Sequence, residues 1–593
     1  MKRIFRPTLV AAAIACSLGV SSCKDYLEVN PTAVDTPETI FSNVSGATSA
    51  IIGAYDPLSG DAGYGNRLSS YYPFDSDEMQ SSSGGDDAGS GRRGIARYTS
   101  VTTNAEVLNP WNQLYQGIER ANLCIKYVPE MTQYNSGTDM VTVRRIHGEA
   151  LTLRAQYYFE LVRNWGDVPE PRTPSVTGQD FNLPRTDRDV IFDHLLDDLA
   201  LAETLVPWRS EVASDERITK GAVKALRARI AMYRGGYSLR QNGQVSRPSN
   251  YKDFYAIARN ECSDLMANRG QHTLNANYEE TFRSINELRV EAAHEIIFQV
   301  GMGGASAASD SKLGYYNGPR ITASPKYGQS SGAVTVLPTY FYAFDSLDTR
   351  RDVTIAPYTI GSTDNQALTT LISMYDGKFR RDWRLPLVPA VSVQSLNYNW
   401  PLIRFADVLL MFAEAQNDLA GPTVAYNGVT ATQALMEVRV RGFKGNTKAA
   451  GTPPTDQAGF FNAIVNERFV EFGGEGIRKY DLIRWNLLGT KLAETKATLR
   501  AWIADQTASS PYAKIPLVMY YTVVNGQVKY SRSLYRPAPA TKPAGTTNVN
   551  WRSSITEARI ADIASGYTTN RQLLPIPASA ITTNPNLVQN PGY

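Results

Sequence analysis

The strongest constraint on this fold is a helical spacing of apolar residues that returns in segment after segment. In GEALTLRAQYYFELVRNWG, residues 148–166, Leu151, Ala155, Tyr158 and Val162 fall three or four positions apart, one stripe of a helical period. NPWNQLYQGIERANLCIKYV (109–128) does the same with Trp111, Leu114, Ile118 and Leu123. TDRDVIFDHLLDDLALAETLVP (186–207) aligns Ile191, Leu195, Leu199 and Ala202 behind a Thr186-x-x-Asp189 capping pattern. TKGAVKALRARIAMYRGGY (219–237) aligns Ala222, Leu226, Ile230 and Tyr233, and TPETIFSNVSGATSAIIGAY (36–55) opens with a cap and a proline. Helices with one apolar stripe and small alanine positions cannot bury that stripe singly, so they stack as helix-turn-helix repeats. The Ala155-x-x-x-Phe159 spacing matches part of the tetratricopeptide pattern, although no strict period can be traced.

The helical texture breaks once and then returns. From about Tyr278 to Tyr398 the chain is Gly-, Ser- and Tyr-rich without a period, and short apolar runs such as EIIFQV there read as strands. WPLIRFADVLLMFAEAQNDLAGP (400–422) is apolar nearly all round and reads as a buried helix. The reading is therefore mainly α, a tetratricopeptide-like helical-repeat scaffold with a large irregular loop-rich subdomain and few short strands. Its divisions are a leader at 1–22, a helical part at 23–276, a loop-rich insertion at 277–399, and a part at 400–593 with helices and then an irregular tail.

The leader accounts for the chain's net charge of +3. Without Lys2, Arg3 and Arg6 the body is balanced, which gives no electrostatic footprint for nucleic acid. MKRIFRP is a basic start and Thr8 to Val20 an apolar run of signal-peptide length, ending VSSC at Cys23. That ending matches a bacterial lipobox, so Cys23 is the expected lipidated first residue of the mature chain, with lipid as its only membrane anchor. No later segment approaches the roughly 18 uninterrupted apolar residues of a spanning helix. Cys124 and Cys262 both fall in helical patterns and read as two buried thiols; pairing between them stays open.

Catalytic constellations are scarce. The four histidines are His147 and His194, within helical patterns, and His272 and His294, without partner motifs. HEIIF lacks the second histidine of a zinc protease, and neither a G-x-S-x-G elbow nor a phosphate loop is present. DSDEMQSSSGGDD lacks the glycine of a calcium loop and reads as a solvated acidic segment, with a calcium site the alternative. Glu475/Arg478 and Asp481/Arg484 read as charge pairs on one helix, and Arg404, Asp407 and Glu414 as partnered charges on a buried one. No cofactor is implied. A pair of loop carboxylates acting as a glycosidase is the enzymatic alternative.

The remaining chemistry lies in aromatic, amide-rich loops: SSYYPFDSDEMQ, GRRGIARY, LGYYNGPR and FRRDWRLP. Rings that stack on sugar C–H faces, beside forked polar side chains, suit an oligosaccharide. The candidate ligand residues are Tyr71, Tyr72, Asp77, Arg93, Tyr98, Tyr315, Tyr316 and Trp383.

Four stretches, RAQYYFELVRNWGDVPEP, PLIRFADVLLMFAEAQND, NERFVEFGGEGIRKYDLIRW and the terminal LLPIPASAITTNPNLVQNPGY, occur in an order that resembles the SusD/RagB family of surface nutrient-binding lipoproteins of Bacteroidetes. CKDYLE resembles the family's sequence after the lipidated cysteine. The resemblance implies a non-enzymatic lipoprotein on the outer membrane, partnered by a SusC-like TonB-dependent transporter. It implies an oligosaccharide ligand, or in some members a peptide. These four stretches are scaffold features, so the resemblance transfers fold and partner and assigns no ligand contact.

Overall fold

The structure, a computed structural model, describes residues 36–81, 89–212, 217–303, 310–507 and 509–593. The leader at 1–22 and Cys23 lie outside the described residues. The first helices are α1 (Val44–Tyr55), α2 (Ala105–Tyr127), α3 (Met140–Trp165), α4 (Arg188–Leu205), α5 (Lys220–Arg234) and α6 (Tyr251–Ala267). From α2 to α6 each helix packs on its successor, and α1 lies over α2 and α3.

Local chemistry sets the boundaries. Asn104 caps α2 by accepting from the Glu106 N–H at 2.9 Å. α3 ends at Gly166, whose φ of 78° suits glycine and whose N–H reaches Val162 O at 2.8 Å. The cap of α4 is Asp187 rather than Thr186: its carboxylate accepts from the Asp189 N–H at 2.7 Å. Residues 36–55 do not form one helix: after Pro37–Ile40, Asn43 accepts from Gly46 N–H and starts α1 afresh.

The α2–α3 contact is close. A Cβ on Gly117 would lie 2.3 Å from Cζ of Tyr157, a fully buried ring whose hydroxyl donates to Ala54 O at 2.6 Å. Gly117→Val is therefore expected to cost about 1–3 kcal/mol or more through overpacking, read as a lower urea midpoint. An unchanged midpoint would show that α2 can slide away.

The helical stack is interrupted after α6. The intervening segment carries α7 (Tyr278–Asn286) and short strands. With Met79–Ser81 as β1, they are β2 (Ile296–Val300), β3 (Ile321–Ser324), β4 (Gly328–Ser330), β5 (Val334–Val336), β6 (Ile355–Ala356), β7 (Tyr358–Ile360), β8 (Gln366–Leu368) and β9 (Tyr375–Asp376). They form two four-stranded sheets, β1-β5-β9-β6 and β8-β7-β3-β4. β10 (Trp400–Arg404) pairs antiparallel with β2. This corrects the expectation of helix from Trp400 onward. An all-apolar run has no period to tell strand from helix, and Pro401 sits where the ladder changes register.

Helix resumes with α8 (Phe405–Ala420), α9 (Ala431–Gly442), α10 (Gln457–Glu471), α11 (Arg478–Arg484) and α12 (Leu488–Ala504). α8 packs against α6, α9 and α10, so the scaffold continues across the insertion as though it were absent. A last sheet, β12-β11-β13, is built from β11 (Val518–Val524), β12 (Gln527–Tyr530) and β13 (Thr547–Asn550). The fold is mainly α with few short strands, as expected.

Cys124 and Cys262 are free and buried, and burial pushes the Cys124 thiol up to about 12. Among the described residues no helix is long and apolar enough to cross a membrane, and no three His, Cys, Asp or Glu gather as a metal site.

Candidate functional site

Residues far apart in the chain meet at an aromatic surface. Arg67–Tyr71 forms one wide helical turn, held by Arg67 ion pairs to Asp61 (3.1 Å) and Glu106 (2.6 Å). The turn sends Tyr71 to the Tyr316 ring, with centroids 6.2 Å apart and planes at 70°. Tyr315 meets Tyr316 edge to face at 5.0 Å. The Arg92 guanidinium lies over both Tyr71 (5.2 Å) and Tyr316 (4.8 Å). Edge-to-face rings topped by a guanidinium are mutually attractive through the ring quadrupoles, which fixes their geometry before any ligand arrives.

Backbone contacts hold Tyr315 and Tyr316 in place. Their carbonyls accept from Ser331 N–H (2.7 Å) and Ala333 N–H (2.6 Å), and both of their own N–H groups donate to Lys312 O. Lys312 in turn reaches Asp61 at 2.6 Å. Asn317 caps the loop by accepting from Gly314 N–H at 2.8 Å and donates to Asp376 at 3.0 Å. Burial pushes Asp376 up to about 7. Tyr315 and Tyr316 are half-buried, whereas Tyr71 is 4% exposed and burial pushes its hydroxyl up to about 12. The result is a rigid set of rings with a forked cation and neutral hydroxyls, able to stack on a ring of C–H groups and hydrogen-bond its substituents.

Residues 390–593 match the family model described as "SusD family", and residues 25–232 the one described as "Starch-binding associating with outer membrane". The chain belongs to the SusD/RagB family. It is 26% identical over 550 residues to SusD-like protein P25 of Formosa agariphila, covering 85% of this chain and 94% of that protein. A crystal structure of a SusD homologue from Bacteroides thetaiotaomicron superposes with a TM-score of 0.76 at 22% identity, over 94% of this chain and 98% of that one. Surface glycan-binding protein A from the same organism, solved in complex with laminarihexaose, gives 0.62 at 18% identity over 92% and 99% of the two chains. At these identities the structural likeness establishes the fold.

On this SusD/RagB scaffold the expected site residues separate into two groups. Tyr71, Tyr315 and Tyr316 come together. Arg92 supplies the guanidinium instead of Arg93, its half-buried neighbour on the same turn of helix. Tyr72 is fully buried against Trp165, its hydroxyl donating to Glu106 O at 2.9 Å. Tyr98 is buried edge-on to Tyr567 and donates to Asp75 O. Asp77 is an internal counter-ion to Arg478, at 2.8 and 2.6 Å. These three serve the core, because apolar packing and a buried cation hold them there.

The described part of the acidic segment, Asp75 to Ser81, is likewise buried rather than solvated. Asp75 accepts from the Ser81 and Ala564 N–H groups, and burial pushes it up to about 7. Glu475 and Arg478 do not pair: α10 and α11 are separate helices, Glu475 meets Lys378 and Arg404, and Arg478 meets Asp77. Asp481 and Arg484 do pair, at 2.8 Å.

Trp383 lies apart from the rings above, in the floor of a cleft of about 1130 Å³. Arg283 and Arg380 sit 4.0 and 4.1 Å from its ring centre, and the residue is only 8% exposed. Trp383 therefore braces the cleft, with little ring surface left for a stacking ligand. The sequence carries no signal for this: an indole beside arginines reads the same whether it is stacked or free.

Proposed function

We propose that this protein is a non-catalytic surface lipoprotein, lipidated at Cys23 on the outer membrane. It binds oligosaccharide on the Tyr71–Tyr315–Tyr316–Arg92 surface and passes it to a SusC-like TonB-dependent transporter. The observation that carries the reading is the preassembled chain of three rings under one guanidinium. Membership of the SusD/RagB family and the laminarihexaose complex of one structural neighbour support the same ligand class.

Native gels containing soluble starch or laminarin provide the test. Tyr315→Ala/Tyr316→Ala is expected to weaken retention about tenfold or more, the scale of one lost stacking contact, in a protein that stays folded with its melting temperature lowered by a few degrees, since the contacts to Tyr71 and Arg92 go too. Retention equal to the parent protein would remove these rings from the site. Release of reducing sugar from either polysaccharide would overturn the non-catalytic reading.

A further inference from the structure

We infer that the cleft floored by Trp383 is a second carbohydrate site, built for a neutral oligosaccharide and distinct from the tyrosine surface. Its volume, about 1130 Å³, exceeds what one small molecule needs. Its walls are three hairpin tips fastened to one another. Gln366, after the β7–β8 turn, donates its N–H to Gly526 O in the β11–β12 tip at 2.8 Å and accepts from Val528 N–H at 3.2 Å. Asp364 accepts from Ser324 Oγ at 2.5 Å and from Lys326 N–H at 3.2 Å, which pins the β3–β4 turn. The opening is therefore preformed, and a ligand would enter without first ordering its walls.

The floor offers an unmet acceptor. Asp382 Oδ2 accepts from the Tyr358 hydroxyl at 2.7 Å, while its buried Oδ1 has no donor among the described residues. That oxygen is screened from solvent, so a ligand hydroxyl meets it only once the side chain turns toward the cleft, where the carboxylate becomes a charged acceptor for an O–H. With Asp382, the lining sets Glu279, Asp352 and Asp364 against Arg283, Lys326, Arg351, Arg380 and Arg532, four carboxylates to five cations. Such near balance repels no neutral ligand and does not attract a polyanion. Donors and acceptors in near-equal number instead match hydroxyls, each of which both donates and accepts. Tyr327, Tyr530 and Tyr535 line the upper walls, and Tyr530 is 37% exposed, so a ring is open for stacking where Trp383 is not.

A peptide fits less well. Peptides commonly add to a free strand edge, and at the start of β8 the Gln366 N–H is already taken by Gly526 O in the β11–β12 tip. The same Tyr315–Ala333 segment that carries the tyrosine surface also carries the β3–β4 turn at the cleft rim. One polysaccharide chain engaging both would gain avidity.

The test uses native gels containing soluble starch, laminarin, xylan or polygalacturonate. Asp382→Asn/Tyr530→Ala is expected to weaken retention on a neutral polysaccharide about tenfold. Combined with Tyr315→Ala/Tyr316→Ala it should abolish retention that either pair alone only reduces. Should Asp382→Asn unfold the chain, the exposed pair Tyr530→Ala/Arg532→Ala serves instead. Cleft variants retained like the parent on every neutral polysaccharide that retains it would overturn the proposal. Strongest retention on polygalacturonate would overturn the ligand class. A loss confined to the tyrosine-surface variants would refute the second site and leave the first standing, whereas a parent protein retained by no gel would refute both.

Discussion

Glu471→Gln is expected to destabilise the protein by about 3–5 kcal/mol, the cost of stripping one charge from a buried ionic cluster. Glu471 ends α10 with no exposed surface, and its carboxylate meets Arg404 and Arg350, each at 3.0 Å, and Arg441 at a shorter distance. Arg404 also binds Glu475 at 2.6 Å and Glu295, and Arg350 binds Asp348 and Glu467, each at 2.7 Å. The cluster joins the insertion, through Glu295 and Arg350, to β10, α9 and α10 of the scaffold. Neutralising Glu471 leaves three buried guanidiniums sharing one counter-charge fewer.

Burial by itself would raise the Glu471 carboxyl, but Arg441, Arg404 and Arg350 reverse that and hold it at about 2. The shift from an ordinary 4.5 to about 2 corresponds to about 3 kcal/mol, in line with the cost above. Because the folded value lies below the unfolded one, this contribution is complete above about pH 4.5 and is lost as pH falls through about 2. Urea unfolding of the parent and the variant should therefore differ most above pH 4.5 and converge toward pH 2. A difference below about 1 kcal/mol at neutral pH would mean that the cluster relaxes around the missing charge.

The scaffold was legible because its signal is local. Stripes such as Leu151, Ala155, Tyr158 and Val162 are decided by spacing alone, and all four are buried in α3. Legibility fails where the deciding partner is distant. Trp400–Arg404 became a strand because Ile296–Val300 lies beside it. Glu475 and Arg478 have the spacing of a helical pair, but Gly474 and Gly476, with φ of 78° and 70°, break the chain between α10 and α11. The site is harder still to read. Tyr71 and Tyr72 are adjacent and chemically identical, and only the wide turn from Arg67 decides which ring faces Tyr316 and which is buried against Trp165. Arg92 and Arg93 pose the same problem within one turn of helix.

Asp77→Ala is where the two readings of the acidic segment part, and the expected result is loss of fold stability rather than loss of affinity. Asp77 is 4% exposed and Arg478 2%, and the guanidinium binds both carboxylate oxygens, Nε at 2.8 Å and Nη2 at 2.6 Å. Two such bonds in parallel fix geometry as well as charge, and here they fasten the stretch before β1 to α11. The next residue of α11 completes the attachment, since Lys479 Nζ donates to Tyr72 O at 2.7 Å. Removing the carboxylate leaves Arg478 charged and buried, for about 3–5 kcal/mol of destabilisation. Adding Arg478→Met should restore part of that loss, because it removes the uncompensated buried charge, while the smaller pair leaves a cavity and Val465 O loses its donor. Guanidinium unfolding of the two variants measures both quantities, and gel retention measures binding on whichever variants remain folded. An Asp77→Ala protein as stable as its parent but no longer retained by polysaccharide would return Asp77 to the ligand surface and make the Arg478 pair incidental.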